Sequence, residues 1–435
     1  MNRFANTFRA LENPNFRLFY IGQGISLVGT WMQQLAMSWL VYRLTGSALM
    51  LGVIGFAGQI PALVLVPVAG MLADRFDRRA ILVLTQGLAM LQAFAVALLV
   101  LSGLVESWHL VALAAALGCV NAFDMPTRQS FVIEMIDRKE DLPNAIALNS
   151  SLFNAARLAG PMVAGALIVV IGEGMCFLLN GVSYMAVIAS LVVIRVPAKP
   201  VRETPENPLA ALIAGVRYTF GFGPIRALLL LIALMSLAGM SFTVLLPVFA
   251  KSILGGDSGT LGVLSGATGF GALAGALYLA SRADVRGLGR VIALSSAVFG
   301  GALCLLSVSR TTALSAAALA LAGFGMIAMM ASGNTILQTI VDDSMRGRVM
   351  SFYTMAFAGM VPFGSLASGA AAERIGTPLA VAAGGVLCIA GALVFACYLP
   401  RMRAMVRPIY VRKGIIPEMA QAMHSADAVT SMQEE

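Results

Sequence analysis

Charge is scarce in this 435-residue chain: only 11% of it is Asp, Glu, Lys or Arg. A soluble domain carries about 25%, because its surface must face water. So little charge excludes a large water-solvated globule. Histidine occurs twice, at His109 and His424, with no ligand partner close in sequence. The five cysteines, Cys119, Cys176, Cys304, Cys388 and Cys397, lie in apolar segments without metal-ligand spacing. They read as small hydrophobes, so no disulfide framework, metal site or cofactor is expected. No clustered nucleophile or acid–base pair is present either, which argues against a membrane enzyme. The first fifteen residues, MNRFANTFRALENPN, lack the apolar core of a cleavable signal peptide.

Apolar residues make up 59% of the chain. A bilayer core of about 30 Å takes about 20 of them per helix. Segments of that size recur at 17–43, 48–73, 79–103, 108–130, 142–171 and 174–195. They resume at 225–250, 259–281, 288–308, 312–340, 347–372 and 377–399. The expected fold is all-α and membrane-spanning, with about twelve helices in two pseudo-symmetric six-helix halves. The halves are assigned to residues 1–195 and 225–400. A polar linker at 196–224, containing VPAKPVRETPENP, separates them, and a basic tail at 401–435 follows. A shift of 204 residues places Ile136, Phe153, Gly160, Gly165 and Ala166 on Ile340, Phe357, Gly364, Gly369 and Ala370. That lays the fifth segment on the eleventh, as duplication of a six-helix unit requires.

The net charge of +8 raises the question of nucleic acid, but the cations are placed otherwise. Of the 29 Lys and Arg, all but Arg43, Arg157, Lys251, Arg310 and Arg374 gather at one set of helix ends and in the linker and tail. Such bias is a topology signal that puts both termini in the cytoplasm and predicts no nucleic-acid partner.

Between the second and third segments runs Gly70-Met-Leu-Ala-Asp74-Arg75-Phe-Asp77-Arg78-Arg79. It resembles the loop signature of the major facilitator superfamily, with Asp77 in place of the usual second glycine. The resemblance implies a conformational-switch loop of Gly70, Asp74, Arg75, Arg78 and Arg79. In it Gly70 would let the second helix approach a neighbour, and Asp74 would face the N-terminal dipole of the eleventh helix. It also pairs Arg78 with an acidic residue of the fourth helix, here Asp124. In the fifth segment, Arg157-Leu-Ala-Gly160-Pro161-Met-Val-Ala-Gly165 resembles an exporter motif, Ala164 replacing one glycine. Its plain alternative is helix packing by small residues.

Further stretches, Asp124-Met-Pro126-Thr-Arg128-Gln129, Arg346-Gly-Arg348-Val-Met-Ser351 and Pro362-Phe-Gly364-Ser365, resemble the bacterial branch holding the enterobactin exporter and macrolide efflux proteins. This implies an inner-membrane secondary transporter exporting a drug-like or siderophore-like small molecule by proton antiport. Uptake by the same fold and a non-transporting sensor are the alternatives. In the superfamily, helices one, four, seven and ten line the path. Their polar or aromatic residues include Gln23, Ser26, Trp31, Gln33, Gln34, Asn121, Ser236, Thr243, Ser332 and Asn334, and Asn154 on the fifth helix joins the candidate cavity. Gln33 and Gln34 are adjacent, so they face different ways. Arg157, a cation within the membrane, needs a cavity or a partner such as Asn154. No acidic residue sits in the middle of a predicted helix, so Asp124 and Glu134 are the carboxylates to test for proton coupling.

Overall fold

The computed structural model describes residues 8–136, 138–194, 208–282 and 284–415, apart from the side chains of Pro67, Met71, Ala73, Asp74, Lys139 and 208–212. Among these the chain is helical, with no strand. Polar caps and glycines set the boundaries. Asn13 accepts hydrogen bonds from the Asn15 and Phe16 amides and opens α1, Pro14–Thr45, which ends at left-handed Gly46. Ser47 caps α2, Ala48–Arg75. Asp77 caps α3, Arg78–Leu101, its carboxylate accepting the Arg79 amide at 3.1 Å. The acidic substitution in the loop signature therefore has a structural use: it starts a helix. α4 is Ser107–Glu134.

The next stretch, Leu142–Val193, is helical over 52 residues but turns at Gly172, whose φ of 78° suits glycine. It divides into α5 (142–171) and α6 (173–193), which run in opposite directions beside α1. Gly24 abuts Leu152 and Gly160 abuts Trp31, so α5 is parallel to α1. Gly22 abuts Ser190 and Gly29 abuts Asn180, so α6 is antiparallel.

After a linker helix, Pro208–Gly221, come α7 (Gly223–Ile253), α8 (Ser258–Ala280), α9 (Leu288–Val308), α10 (Thr312–Ile340), α11 (Arg346–Ile375) and α12 (Thr377–Arg412). α7 loosens into π turns at Met235–Gly239 and Phe249–Ile253, and α11 is interrupted at 358–360. α12 stays helical to Arg412, burying Met402 and Val406, so the stretch assigned to the tail begins as ordered helix. Ten stretches among the described residues are long and apolar enough to cross a membrane, Leu142–Val193 counting once. α1 is not among them; its 32 residues include Gln23, Ser26, Thr30, Gln33, Gln34 and Ser38.

Small residues join the two halves. On α5 and α8, a β carbon on Gly165 would stand 2.8 Å from the Ser258 carbonyl and 2.9 Å from Gly262 Cα. On α2 and α11, one on Gly369 would stand 2.7 Å from the Ala48 carbonyl and 2.9 Å from Gly52 Cα. Gly165 and Gly369 are partners under the 204-residue shift, as are Gly160 and Gly364. Gly160 abuts α1 at Trp31, and Gly364 abuts α7 at Leu237. The internal repeat thus has a counterpart in packing. Outward side chains such as Leu98, Val163 and Val170 are exposed and apolar, as lipid requires.

Candidate substrate cavity and gate

One face of α5 carries the candidate lining. Ser150, Asn154, Arg157, Pro161, Ala164 and Ile168 follow at spacings of four and three, so they share a face. Neighbouring faces are occupied: Leu152 and Gly160 meet α1, while Leu158, Met162 and Gly165 meet α8. Along the stripe itself, Pro161, Ala164 and Ile168 are buried. Ser150 is exposed, and Asn154 and Arg157 are partly so. The same face is therefore sealed above Pro161 and open below it, toward the helix ends that carry most of the basic residues. The open part is polar, unlike the Val163 and Val170 face that meets lipid.

Arg157 lies at the midpoint of α5, about 22 Å from either end at 1.5 Å per residue. The structural alternative, a bond to Asn154, is not made: Asn154 donates to the Ser150 carbonyl at 2.8 Å. Among the described residues Arg157 has no hydrogen bond or ion pair. Trp31 packs against the turns on either side of it. A β carbon on Gly160 would come within 2.5 Å of Trp31 Cβ, and the indole meets Phe153 edge-on at 5.6 Å. The ring thus spans the level of Arg157.

Other expected lining residues divide. Gln34 and Asn121 are exposed, and Asn334 is partly so, accepting from Gln338 Nε2 at 2.9 Å. Gln23 is buried, and Gln33 lies in a chain inside the first half. Gln33 Nε2 donates to Gln92 Oε1 at 2.9 Å and Asn180 Nδ2 donates to Gln33 Oε1 at 2.7 Å. Across from α5, the Ser236 hydroxyl on the α7 π turn donates to the Phe357 carbonyl, where α11 is interrupted. Phe357 is the shifted partner of Phe153, so this irregular backbone lies at the level of Arg157. Broken backbone at membrane depth is tolerated where it is buried in protein or lines a cavity.

The end away from the basic loops is sealed. Tyr42 and Ser252 hydroxyls meet at 2.7 Å, and Lys251 lies 5.9 Å from the Tyr42 ring centre. Glu373 accepts from the Ser47 hydroxyl and the Leu49 amide, both at 3.2 Å. Ser258 donates to the Gly165 carbonyl at 3.3 Å. Arg43 and Glu173 pair at 2.7 Å beside this seal.

At the basic end the helices stand apart. A β carbon on Gly70 of α2 or Gly347 of α11 would meet nothing within 4 Å. Gly70 thus makes no close approach in this conformation, contrary to the expectation, because the halves are splayed here. The Asp74 side chain lies outside the described residues; Arg75 is exposed and Arg79 donates to the Leu191 carbonyl at 2.6 Å.

The expected Arg78–Asp124 pair is corrected. Arg78 binds Glu134 at 2.5 Å. Asp124 lies ten residues, about 15 Å, further into the membrane along α4. There it is 1% exposed and paired with Arg128 one turn away, accepting from Thr85 Oγ1 at 3.0 Å and Gln86 Nε2 at 2.6 Å. The four-residue spacing of Asp124 and Arg128 is a sequence signal for this pair.

The model of the family described as transmembrane secretion effector matches residues 5–418. The staphyloferrin A transporter of Staphylococcus aureus is 26% identical over 385 residues, 87% of this chain and 95% of that protein. The multidrug efflux pump Tap of Mycolicibacterium fortuitum is 26% identical over 400 residues, 88% of this chain and 93% of its own. Among solved structures, a POT family transporter in complex with 5-aminolevulinic acid superposes with a TM-score of 0.72 at 9% identity, over 90% of this chain and 97% of that one. That likeness speaks to fold.

Proposed function

This chain belongs to the transmembrane secretion effector family of major facilitators, and on that premise we propose that it exports a drug-like or siderophore-like small molecule by alternating access. The relatives named for staphyloferrin A and for multidrug efflux support that range of cargo. The observation that carries the proposal is the α5 stripe, polar and open below Pro161, apolar and buried above it. With the basic ends inside, as the positive-inside rule has it, the cavity opens to the cytoplasm and loads from there. Twelve crossings and two cytoplasmic termini in a bacterial inner membrane complete the topology.

Export against a gradient needs a driving ion, and we assign proton antiport to Asp124 and Glu134. Each is held by an arginine, Asp124 by Arg128 and Glu134 by Arg78. Protonating either carboxylate would weaken its ion pair and free a cation, coupling charge to conformation. Everted vesicles with an imposed proton gradient test the whole reading, using dyes, macrolides and catecholate siderophores. Gradient-dependent accumulation, lost in Asp124→Asn or Glu134→Gln, is expected. Accumulation confined to right-side-out vesicles would establish uptake instead.

A further inference from the structure

Arg157 is the one cation of the α5 stripe, and among the described residues nothing neutralises it. Four carboxylates whose side chains are described, within or beside the spans, are otherwise committed. Asp124 is held by Arg128, Glu134 by Arg78, Glu173 by Arg43, and Glu373 by Ser47 and the Leu49 amide. α1, α5, α7, α8 and α10 contain no Asp or Glu at all. A guanidinium at midplane is costly unless water or an anion solvates it, and its field is strong where the dielectric is low. Its forked donors match an oxyanion. The Trp31 indole, packed on Phe153, offers a flat apolar wall at the same level.

We propose that Arg157 selects the cargo's charge: the site takes a small anion bearing a carboxylate or similar oxyanion next to a flat apolar or aromatic body. This rests on the export reading and narrows it. The oxyanion engages Arg157 and the ring lies against Trp31 and Phe153. A cation on the same scaffold is repelled, because no free carboxylate among the described residues lines this stripe.

Three probes that share a ring and differ in charge test this: 2-naphthoate, 2-naphthamide and 2-naphthylmethylammonium. Binding to the full chain in lipid nanodiscs is read from Trp31 fluorescence after Trp39→Phe and Trp108→Phe. Wild type should bind naphthoate most tightly and the ammonium least. Arg157→Gln should weaken naphthoate by roughly 10- to 150-fold, the range for a hydrogen bond to a charged group, while leaving the amide unchanged. Arg157→Lys should keep the charge preference with a smaller loss, which separates recognition from misfolding. Equal weakening of all three probes, an unchanged preference in Arg157→Gln, or no naphthoate binding would overturn the proposal. The export reading is judged apart from it: everted vesicles that accumulate the ammonium as well as naphthoate would keep export and sink charge selection.

Discussion

Replacing Gly165 by valine should shift this protein between its two end states. The Gly165 β carbon would stand 2.8 Å from the Ser258 carbonyl and 2.9 Å from Gly262 Cα, where ordinary contacts begin at 3.4 Å. α5 and α8 would have to part by about half an ångström at backbone level, with two more methyls to place. Overpacking of this kind costs about 1–3 kcal/mol. The penalty falls on the state in which this end is closed. If the halves rock apart here in the other state, that state escapes it, and the equilibrium moves about 5- to 150-fold toward it. Spin labels at Leu104 and Leu379 report the sealed end, and labels at Phe76 and Ser281 the basic end; all four positions are exposed. The first distance should lengthen and the second shorten. Gly369→Val, on α11 where it packs against α2, should act in the same direction, and Gly165→Ala more weakly. A folded Gly165→Val protein with both distances unchanged would show that this contact does not set the balance between the states.

Other perturbations test the interior. Asp124→Asn leaves the partly buried Arg128 without its partner and should lower stability by up to about 3–5 kcal/mol, whereas Asp124→Leu with Arg128→Met should recover most of that. Thermal melting in nanodiscs measures both, and a double variant no better than the single would contradict the pairing. Exchanging the charges of Arg78 and Glu134 should restore transport that either single reversal abolishes; failure of the exchange would deny that their contact matters. Gln33→Leu strands the amides of Gln92 and Asn180 at about 1–3 kcal/mol, seen as a lower melting temperature with an unchanged substrate range. Gln34→Leu should do the reverse, altering which compounds move while melting stays as in wild type.

Helix positions are readable in the sequence because their signals are local. Asn13, Ser47, Asp257 and Thr311 cap helices, and left-handed Gly46, Gly172 and Gly287 end or begin them, so the apolar segments end near where the structure ends them. The loop signature at Gly70–Arg79 and the stripe around Gly160 and Gly165 point to the superfamily within which the family model matches. What depends on which helix faces which is harder to read. Adjacency says that Gln33 and Gln34 part company, yet not which one is buried; the structure packs Gln33 against Gln92 and Asn180 and leaves Gln34 exposed. The match of Arg78 to Asp124 comes by analogy, and the depth of Asp124 along α4 sends Arg78 to Glu134 instead. The first π turn of α7 carries no proline or glycine signal strong enough to place it, since Pro247 lies beyond it and Gly239 ends it. Arg157 is legible as an intramembrane cation, but its lack of a partner among the described residues is a property of the assembled bundle.

The proposed export depends above all on an α5 stripe that is open from the end carrying the basic loops and closed from the other. Single cysteines at Ser150, Asn154, Ala164 and Ile168, in a background with the five native cysteines replaced, can be challenged with a membrane-impermeant maleimide on either side of the membrane. Fast labelling is expected at Ser150 and Asn154 from the cytoplasmic face, with protection at Ala164 and Ile168. Labelling of Ala164 and Ile168 from the outer face, with Ser150 and Asn154 protected, would mean that the cavity opens the other way.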